Sequence, residues 1–305
     1  MHAVTGITDI VKNIGVISTL NMIKVTTTPK GVTAEAMDGQ FSIGAAYAAG
    51  IGGCASSIAM ASVFCRGELQ GSFDEFEGTV GLGRLSVFKG FREFHKDSLV
   101  TIVKEARGSL SVPAEIKFDN GAGTVSWYRL TSSAVATEFV QVPLFRRTVV
   151  DVTASPDEKS IRLFNHWTKE AKKTNGLHFW PGMNARGKLY FSFDVRRPSN
   201  STPRFEFAGG LPFVPLAPYR YPAKLVAEIL SLAVDAESLT MSFSNAGHLR
   251  IDVTSSFGRY EFVIPGSDYL IWLWDVTDDW PQVYHIAQMV RDDRSMQHDW
   301  EPDLN

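Results

Sequence analysis

The chain has little of what usually marks an enzyme, a secreted protein or a membrane protein. Only two cysteines, Cys54 and Cys65, occur in 305 residues, which excludes a disulfide framework and the spaced cysteine pairs of a zinc site. Both read as small buried hydrophobes in a reducing compartment. Seven histidines (His2, His95, His166, His178, His248, His285 and His298) are scattered without H-x-x-x-H spacing, so no metal site is expected. No G-x-S-x-G or Walker A pattern is present. Gly78, Gly81 and Gly83 precede a helix signal, but their spacing is wrong for a dinucleotide fingerprint and no Lys-Ser/Thr follows. The paired acids Asp278-Asp279 and Asp292-Asp293 lie in an acidic stretch and read as solvated. The longest apolar runs, Ala45 to Ile51 and Ile58 to Phe64, are too short to cross a bilayer. The N-terminus lacks a basic segment followed by an apolar one, so no secretory signal is read and an intracellular, cytoplasmic location is expected. With no catalytic constellation in view, a non-enzyme without cofactors is expected.

What is present describes an ordinary globular composition, 44% hydrophobic and 21% charged. The length suggests two domains, since single cores stop growing near ~250 residues. Charge is uneven. Between Ser267 and Asn305 nine acidic residues face only Arg291 and Arg294, a net of −7, so the total of −3 leaves residues 1–266 at +4. That stretch also holds Trp272, Trp274, Trp280 and Trp300. It is read as a distinct acidic, Trp-rich extension over 267–305.

The hydrophobic pattern divides the remainder. A helix is expected from an N-cap at Thr8, with Ile10, Val11, Ile14 and Ile17 at helical spacing. Strands follow at Asn21–Thr28 and Val32–Met37 around Pro29-Lys30-Gly31, then at Phe41–Tyr47 and Ile58–Phe64. After a second helix from Arg84, three strands (Leu99–Glu105, Ser109–Phe118, Thr124–Leu130) are punctuated by Arg107-Gly108 and Asp119-Asn120-Gly121. Residues 131–152 read as an extended connector. The second half restarts with a capping box, Ser155 with Glu158, opening a helix to Thr174. Strands near Leu177–Trp180, Lys188–Val195 and Arg204–Phe207, a helix from Pro222 to about Asp235, and strands Ser238–Ser244, His248–Val253 and Arg259–Ile264 complete it. Each half thus reads as helix, strands, helix, strands. The expected class is α+β: two similar domains, 1–130 and 153–266, each of antiparallel sheets with two helices on one face.

Two helices carry opposed stripes. At ~100° per residue, Phe164, Trp167 and Ala171 share one face of the later helix. Arg162, Lys169 and Lys173 share the other, flanked by Lys159 and Lys172. In the earlier helix Val87, Phe88, Phe91 and Phe94 are placed on one side, and Lys89, Arg92 and Lys96 on the other. Arg84, Lys12 and Lys224 extend the basic set onto the remaining helices. Positive charge concentrated on helix faces of a mildly acidic chain points to a polyanion.

Two segments carry a resemblance. Phe76-Glu77-Gly78-Thr79-Val80-Gly81-Leu82-Gly83-Arg84-Leu85 leads into the basic helix, and AVDAESLTMSFSNAG is followed by HLRIDVTSSFGRYEFVIPG over residues 233–266. In these, and in overall pattern over about residues 5–266, the chain resembles the DNA sliding clamps, the two-domain polymerase processivity factors of phages and of the PCNA-like kind. The resemblance implies a ring, a homotrimer, encircling duplex DNA without reading its sequence, inside a cell that could be a phage's host. It implies DNA contacts from Lys12, Arg84, Lys89, Arg92, Lys96, Lys159, Arg162, Lys169, Lys172, Lys173 and Lys224. It also implies docking of a DNA polymerase and a clamp loader on the apolar connector residues Val140, Val142, Leu144 and Phe145, for which core packing is the competing reading. The extension beyond Gly266 has no counterpart in that pattern. Rival readings are a strand-rich virion or scaffold protein, which needs no basic helix faces, and a single-strand binder with aromatics on an open sheet.

Overall fold

The computed structural model describes residues 1–38, 62–96, 98–107, 110–142, 150–173, 176–193, 204–217, 219–245 and 247–266. The expected strand Phe41–Tyr47, connector residues Leu144 and Phe145, and the acidic extension lie outside them. The chain opens with helix α1 (Ala3–Asn13), which tightens into a 3₁₀ turn at Ile14–Val16. Thr8 is therefore mid-helix and not the expected N-cap; its hydroxyl donates back to Val4 O at 2.7 Å. The first amide of the helix is instead satisfied from afar, Ala3 N donating to Glu75 Oε2 at 2.8 Å. Four strands follow: β1 (Met22–Thr28), β2 (Gly31–Asp38), β3 (Val63–Leu69) and β4 (Gly78–Gly83). Of the expected strand Ile58–Phe64, residues 58–61 lie outside the described residues, while Val63 and Phe64 open β3, which runs on to Leu69. The glycine-rich run is β4 itself, hydrogen-bonded along β1 from Met22↔Gly83 to Thr27↔Gly78, so its amides are engaged in a ladder and form no phosphate loop.

Helix α2 (Leu85–Phe94) leads to β5 (Leu99–Arg107), β6 (Leu110–Asp119) and β7 (Val125–Arg129). The β6–β7 turn forms as its sequence dictates: Asp119 Oδ1 accepts from Gly121 N at 2.9 Å, and Gly121 takes φ 70°. The expected extended connector is corrected in part. Residues Ser133–Phe139 form helix α3, which lies against β4 and β1. Gly81 permits that approach, since a Cβ there would sit 2.8 Å from Thr131 Cβ and 3.0 Å from Ala136 Cβ.

The second half runs β8 (Val152–Ala154), α4 (Glu158–Lys173), β9 (His178–Met183), β10 (Leu189–Phe193), β11 (Arg204–Ala208), β12 (Tyr221–Pro222), α5 (Ala223–Leu230), a 3₁₀ turn at Ser231–Val234, β13 (Ser238–Ser244), β14 (His248–Thr254) and β15 (Gly258–Pro265). Asp157 caps α4, its Oδ1 accepting from Ser160 N at 2.7 Å, so the expected Ser155–Glu158 capping box is replaced by an Asp cap two residues later. Hydrogen bonding from the Ser160 side chain and backbone, with the nearby Lys159 and Arg162 charges, holds the Asp157 carboxyl below the usual carboxylate range.

The fold is α+β with antiparallel sheets. One sheet has eight strands in the order β4-β1-β2-β3-β15-β14-β13-β8, a second has four in the order β11-β10-β9-β12, and a third has three in the order β5-β6-β7. The eight-stranded sheet takes strands from both halves of the chain and joins them at β3 and β15. There Tyr260 stands opposite Gly67 and Glu261 opposite Arg66. A Cβ on Gly67 would lie 2.6 Å from the Tyr260 ring, so this crossing requires glycine. Tyr260 is fully buried and donates its hydroxyl to Asp9 of α1 at 2.5 Å, while Ser255 donates to the same carboxylate oxygen at 2.9 Å. A buried carboxylate with two donors thus ties the first helix to the last hairpin.

Side chains alternate across the large sheet. Ile23, Val25, Ala34, Ala36, Cys65, Tyr260, Ile251 and Met241 face the helices and are buried. The opposite face carries an alternating-charge row. Lys24 pairs with Glu35 at 2.6 Å, Arg66 approaches Glu35 at 4.0 Å, Arg250 lies 3.4 Å from Glu261 and 2.8 Å from Asp252, and Arg259 reaches Asp252 at 2.7 Å. Burial raises the Glu261 carboxyl, the Arg250 charge opposing it. Alternation fails at one end of the sheet. Met37, Phe64, Val263 and His248 share a face with that row and are nevertheless buried.

Candidate nucleic-acid interface

The helix faces expected to meet DNA are set by what their apolar sides bury. In α4, Ser160, Phe164 and Ala171 are buried at helical spacing, and Trp167 packs partly buried beside them. Phe164 drives this. It is fully buried, edge-on to Phe179 at 4.9 Å and against Phe191 and Phe193 at 5.8 and 5.4 Å. Rings in that geometry add attraction beyond their buried area. With that side fixed, Lys159, Arg162, Lys169, Lys172 and Lys173 all project to solvent, as the periodicity predicted.

Helix α2 departs from expectation. Phe88 is buried against Phe118 and Tyr128, and Phe91 packs partly buried on Phe118. Val87 and Phe94 are 40% and 77% exposed, so they do not belong to the apolar side on which they were placed. Arg92 is partly buried and lines a cleft of about 520 Å³ with Lys12, Asp235 and Leu99, where it was expected on the open face. The physical reason is that Leu85 and Phe88 are the buried residues of the helix, Phe88 between Phe118 and Tyr128, with Phe91 beside it on Phe118. This rotates Arg92 toward α1 and turns Val87 and Phe94 out.

Cross-links between helices set their order. Lys89 Nζ donates to Gly15 O at 2.5 Å, bringing α2 to the end of α1. Ser18 beyond α1 donates to Glu228 Oε1 of α5 at 2.6 Å, Lys224 donates to Ser18 Oγ at 3.3 Å, and Lys12 pairs with Asp235 at 3.1 Å. Helices α5 and α4 are in contact. The four helices therefore follow one another in the order α2–α1–α5–α4, with α2 packed on the three-stranded sheet and α4 on the four-stranded one.

Several expected cations are engaged by neighbours. Arg162 lies 3.6 Å from Glu158, Lys173 2.6 Å from Glu170, and Lys224 3.6 Å from Glu228. These are pairs within single helices whose cations are exposed, worth ~0.3–0.5 kcal/mol each. Arg84, Lys96, Lys159, Lys169 and Lys172 are exposed and make no ion pair among the described residues. Arg84 is also the one described non-glycine residue with positive φ, at 53°, on the turn from β4 into α2. A left-handed arginine costs on the order of 1 kcal/mol, and such strain concentrates at functional positions.

The connector residues fare differently. Val140 is 2% exposed, within the core, so its expected part in partner docking is corrected to packing; its carbonyl accepts from Lys24 Nζ at 3.1 Å. Val142 is partly exposed. Among the described residues, no group of three or more His, Cys, Asp or Glu side chains is placed to hold a metal ion. None of the described helices is long and apolar enough to cross a membrane.

Sequence reasoning overlooked the Asp9–Tyr260–Ser255 link, because Asp9 looked like one more polar helix residue. It also passed over the edge positions Trp127 and Arg204, whose exposure depends on strand order. No protein-family model matches the chain, and no curated protein matches it in sequence.

Proposed function

We propose that the protein is a DNA sliding clamp, a processivity factor whose copies close into a ring around duplex DNA and tether a polymerase and a clamp loader. The observation that carries this reading is the row of four helices linked one to the next. It presents five cations that make no ion pair among the described residues, and several loosely paired ones. Lysines and arginines on such a face attract phosphates through counterion release and carry no sequence information. That combination suits a protein that must hold DNA and still move along it. A virion scaffold would have no use for it.

The strand orders support two similar domains. β4-β1-β2-β3 and β12-β9-β10-β11 follow the same sequence of neighbours, and so do β5-β6-β7 and β13-β14-β15. Each set carries two helices of the row. Closure into a ring, trimeric as the resemblance implies, would place the row on the inner wall.

Electron microscopy tests the reading together with DNA retention. Particles should be rings with a hole of duplex width, retained on circular DNA and lost when the DNA is linearised. Reversing Lys159, Lys169 and Lys172 to glutamate should lower the salt slope of DNA association by up to ~3 units, about 0.9 for each lost phosphate contact. A monomer at micromolar concentration by light scattering, with monomers in the microscope, would refute it, as would an unchanged salt slope in the triple variant.

A further inference from the structure

The four-stranded sheet β11-β10-β9-β12 has two unlike faces. Phe179, Phe191, Phe193 and Phe207 are buried on the side where Phe164 of α4 packs. Strand alternation sends Trp180, Gly182, Tyr190, Ser192, Arg204 and Glu206 to the other side, where each is partly or fully exposed. The ladders fix how they sit. Trp180 pairs with Ser192 and Ser192 with Arg204 in one row, and Gly182 pairs with Tyr190 and Tyr190 with Glu206 in the next.

Each aromatic ring on this face has an arginine over it. The Arg220 guanidinium, one residue before β12, stands 5.7 Å from the centre of the Trp180 ring, and that of Arg204 stands 4.1 Å from the centre of Tyr190. Asn184 Nδ2 donates to the Tyr190 hydroxyl at 3.2 Å, which holds the second ring in place. Beside both rings lies Gly182, where a Cβ would meet no atom within 4 Å, so the sheet floor there is open. The acid on this face, Glu206, is engaged by Lys188 at 2.8 Å, and Arg204 makes no ion pair among the described residues. The arginines therefore give the face its sign.

Rings and guanidinium planes standing on a sheet are what unpaired bases stack on, while arginine N–H groups meet the phosphates between them. A duplex keeps its base faces stacked inside and cannot use such a surface. We propose that this face binds single-stranded DNA. One base stacks beside Trp180 over the open floor at Gly182, and the next lies on the Arg204 guanidinium that Tyr190 backs. The edges of Arg204 and Arg220 donate to the flanking phosphates. Stacking of this kind accepts any base, so the face adds no sequence preference. It lies across the sheet from α4, whose cations are assigned above to duplex DNA, and it does not rest on the clamp reading.

Fluorescence anisotropy of the full-length protein with a labelled oligothymidylate of about eight nucleotides tests it, beside an abasic oligomer of the same length. The abasic oligomer, with the same phosphates and no bases, should bind at least fivefold more weakly. Trp180→Leu, and Gly182→Leu, whose side chain fills open space and spares the core, should each weaken oligothymidylate at least fivefold, down to the abasic value. Both are first checked for the circular dichroism and melting of the parent. Arg204→Glu should weaken both oligomers and lower the salt slope by ~0.7 for each lost phosphate contact. The Lys159, Lys169 and Lys172 triple glutamate variant should keep the fivefold preference for bases. Equal affinity for the two oligomers, or parental binding by both leucine variants, would overturn the proposal. So would a preference for bases that disappears only in the triple lysine variant, which would put the strand on the helix faces. A preference lost in Trp180→Leu, in a protein that forms no rings, would uphold this surface and refute the clamp.

Discussion

Replacing Gly67 by alanine should destabilise the protein by about 1–3 kcal/mol, the usual cost of overpacking a core. The new Cβ would sit 2.6 Å from two carbons of the Tyr260 ring, where carbon contacts want ~3.5–4.0 Å, so something must yield by about 1 Å. Tyr260 is poorly placed to yield. Its ring is fully buried and its hydroxyl is held by the Asp9 carboxylate. Behind the glycine, Ala34 Cβ already stands at 3.6 Å. The strain therefore falls on the β3–β15 ladder that holds the halves together. A loss of ~2 kcal/mol lowers the melting temperature by roughly 3 °C in a chain of this length. The decisive measurement is a double-mutant cycle by urea denaturation. Tyr260→Leu costs stability by itself, but in that background Gly67→Ala should be nearly neutral, giving a coupling energy of ~1–2 kcal/mol. An alanine variant that melts with the parent, or one equally costly with and without the Tyr260→Leu change, would refute the argument.

Two further outcomes follow from buried positions. His248 is 1% exposed with neither ring nitrogen hydrogen-bonded, and burial pushes its pKa down to about 4, the Asp151 charge opposing. The unfolded chain, with an ordinary value near ~6.5, binds the proton first. Stability should thus be full above about pH 6.5, fall by up to ~3 kcal/mol as pH drops toward about 4, and level off below it; His248→Leu should lose distinctly less between pH 7 and pH 4.5 in urea midpoints, and an equal loss would count against the assignment. Gly81→Val should push α3 off the sheet, because its Cβ would meet Thr131 and Ala136 at 2.8 and 3.0 Å. Hydrogen exchange at Ala136 and Val140, whose amides close the helix, should then quicken at least tenfold, and unchanged protection would show that the contact gives way freely.

Local chemistry was legible wherever it involved neighbours in sequence. The Asp119–Gly121 turn, the α4 stripe and the hairpins around Gly31 and Asn245 needed only side-chain period and turn preferences, and those hold whatever surrounds them. Chain ends of helices were less legible. Thr8 resembled a cap because sequence cannot show that Glu75 reaches the first turn of α1 from across the molecule. Arg92 and Val87 were misassigned because the apolar residues of α2 spread around more than one face, and the pocket between Phe118 and Tyr128 took Phe88.

By itself the sequence determined the alternation of helices and strands and the basic side of α4, since both are written in contiguous residues. Tertiary structure alone decided which strands became edges. β3 meets β15 because Gly67 leaves room for Tyr260 and because Asp9 waits beneath it, a match between residues nearly two hundred positions apart that no local pattern encodes. The same choice of neighbours left β7 and β11 at sheet edges among the described residues and brought the four helices next to one another. Whether a stripe of lysines is a solvated surface or an interface depends on that arrangement, because only neighbouring helices turn separate charges into one continuous field.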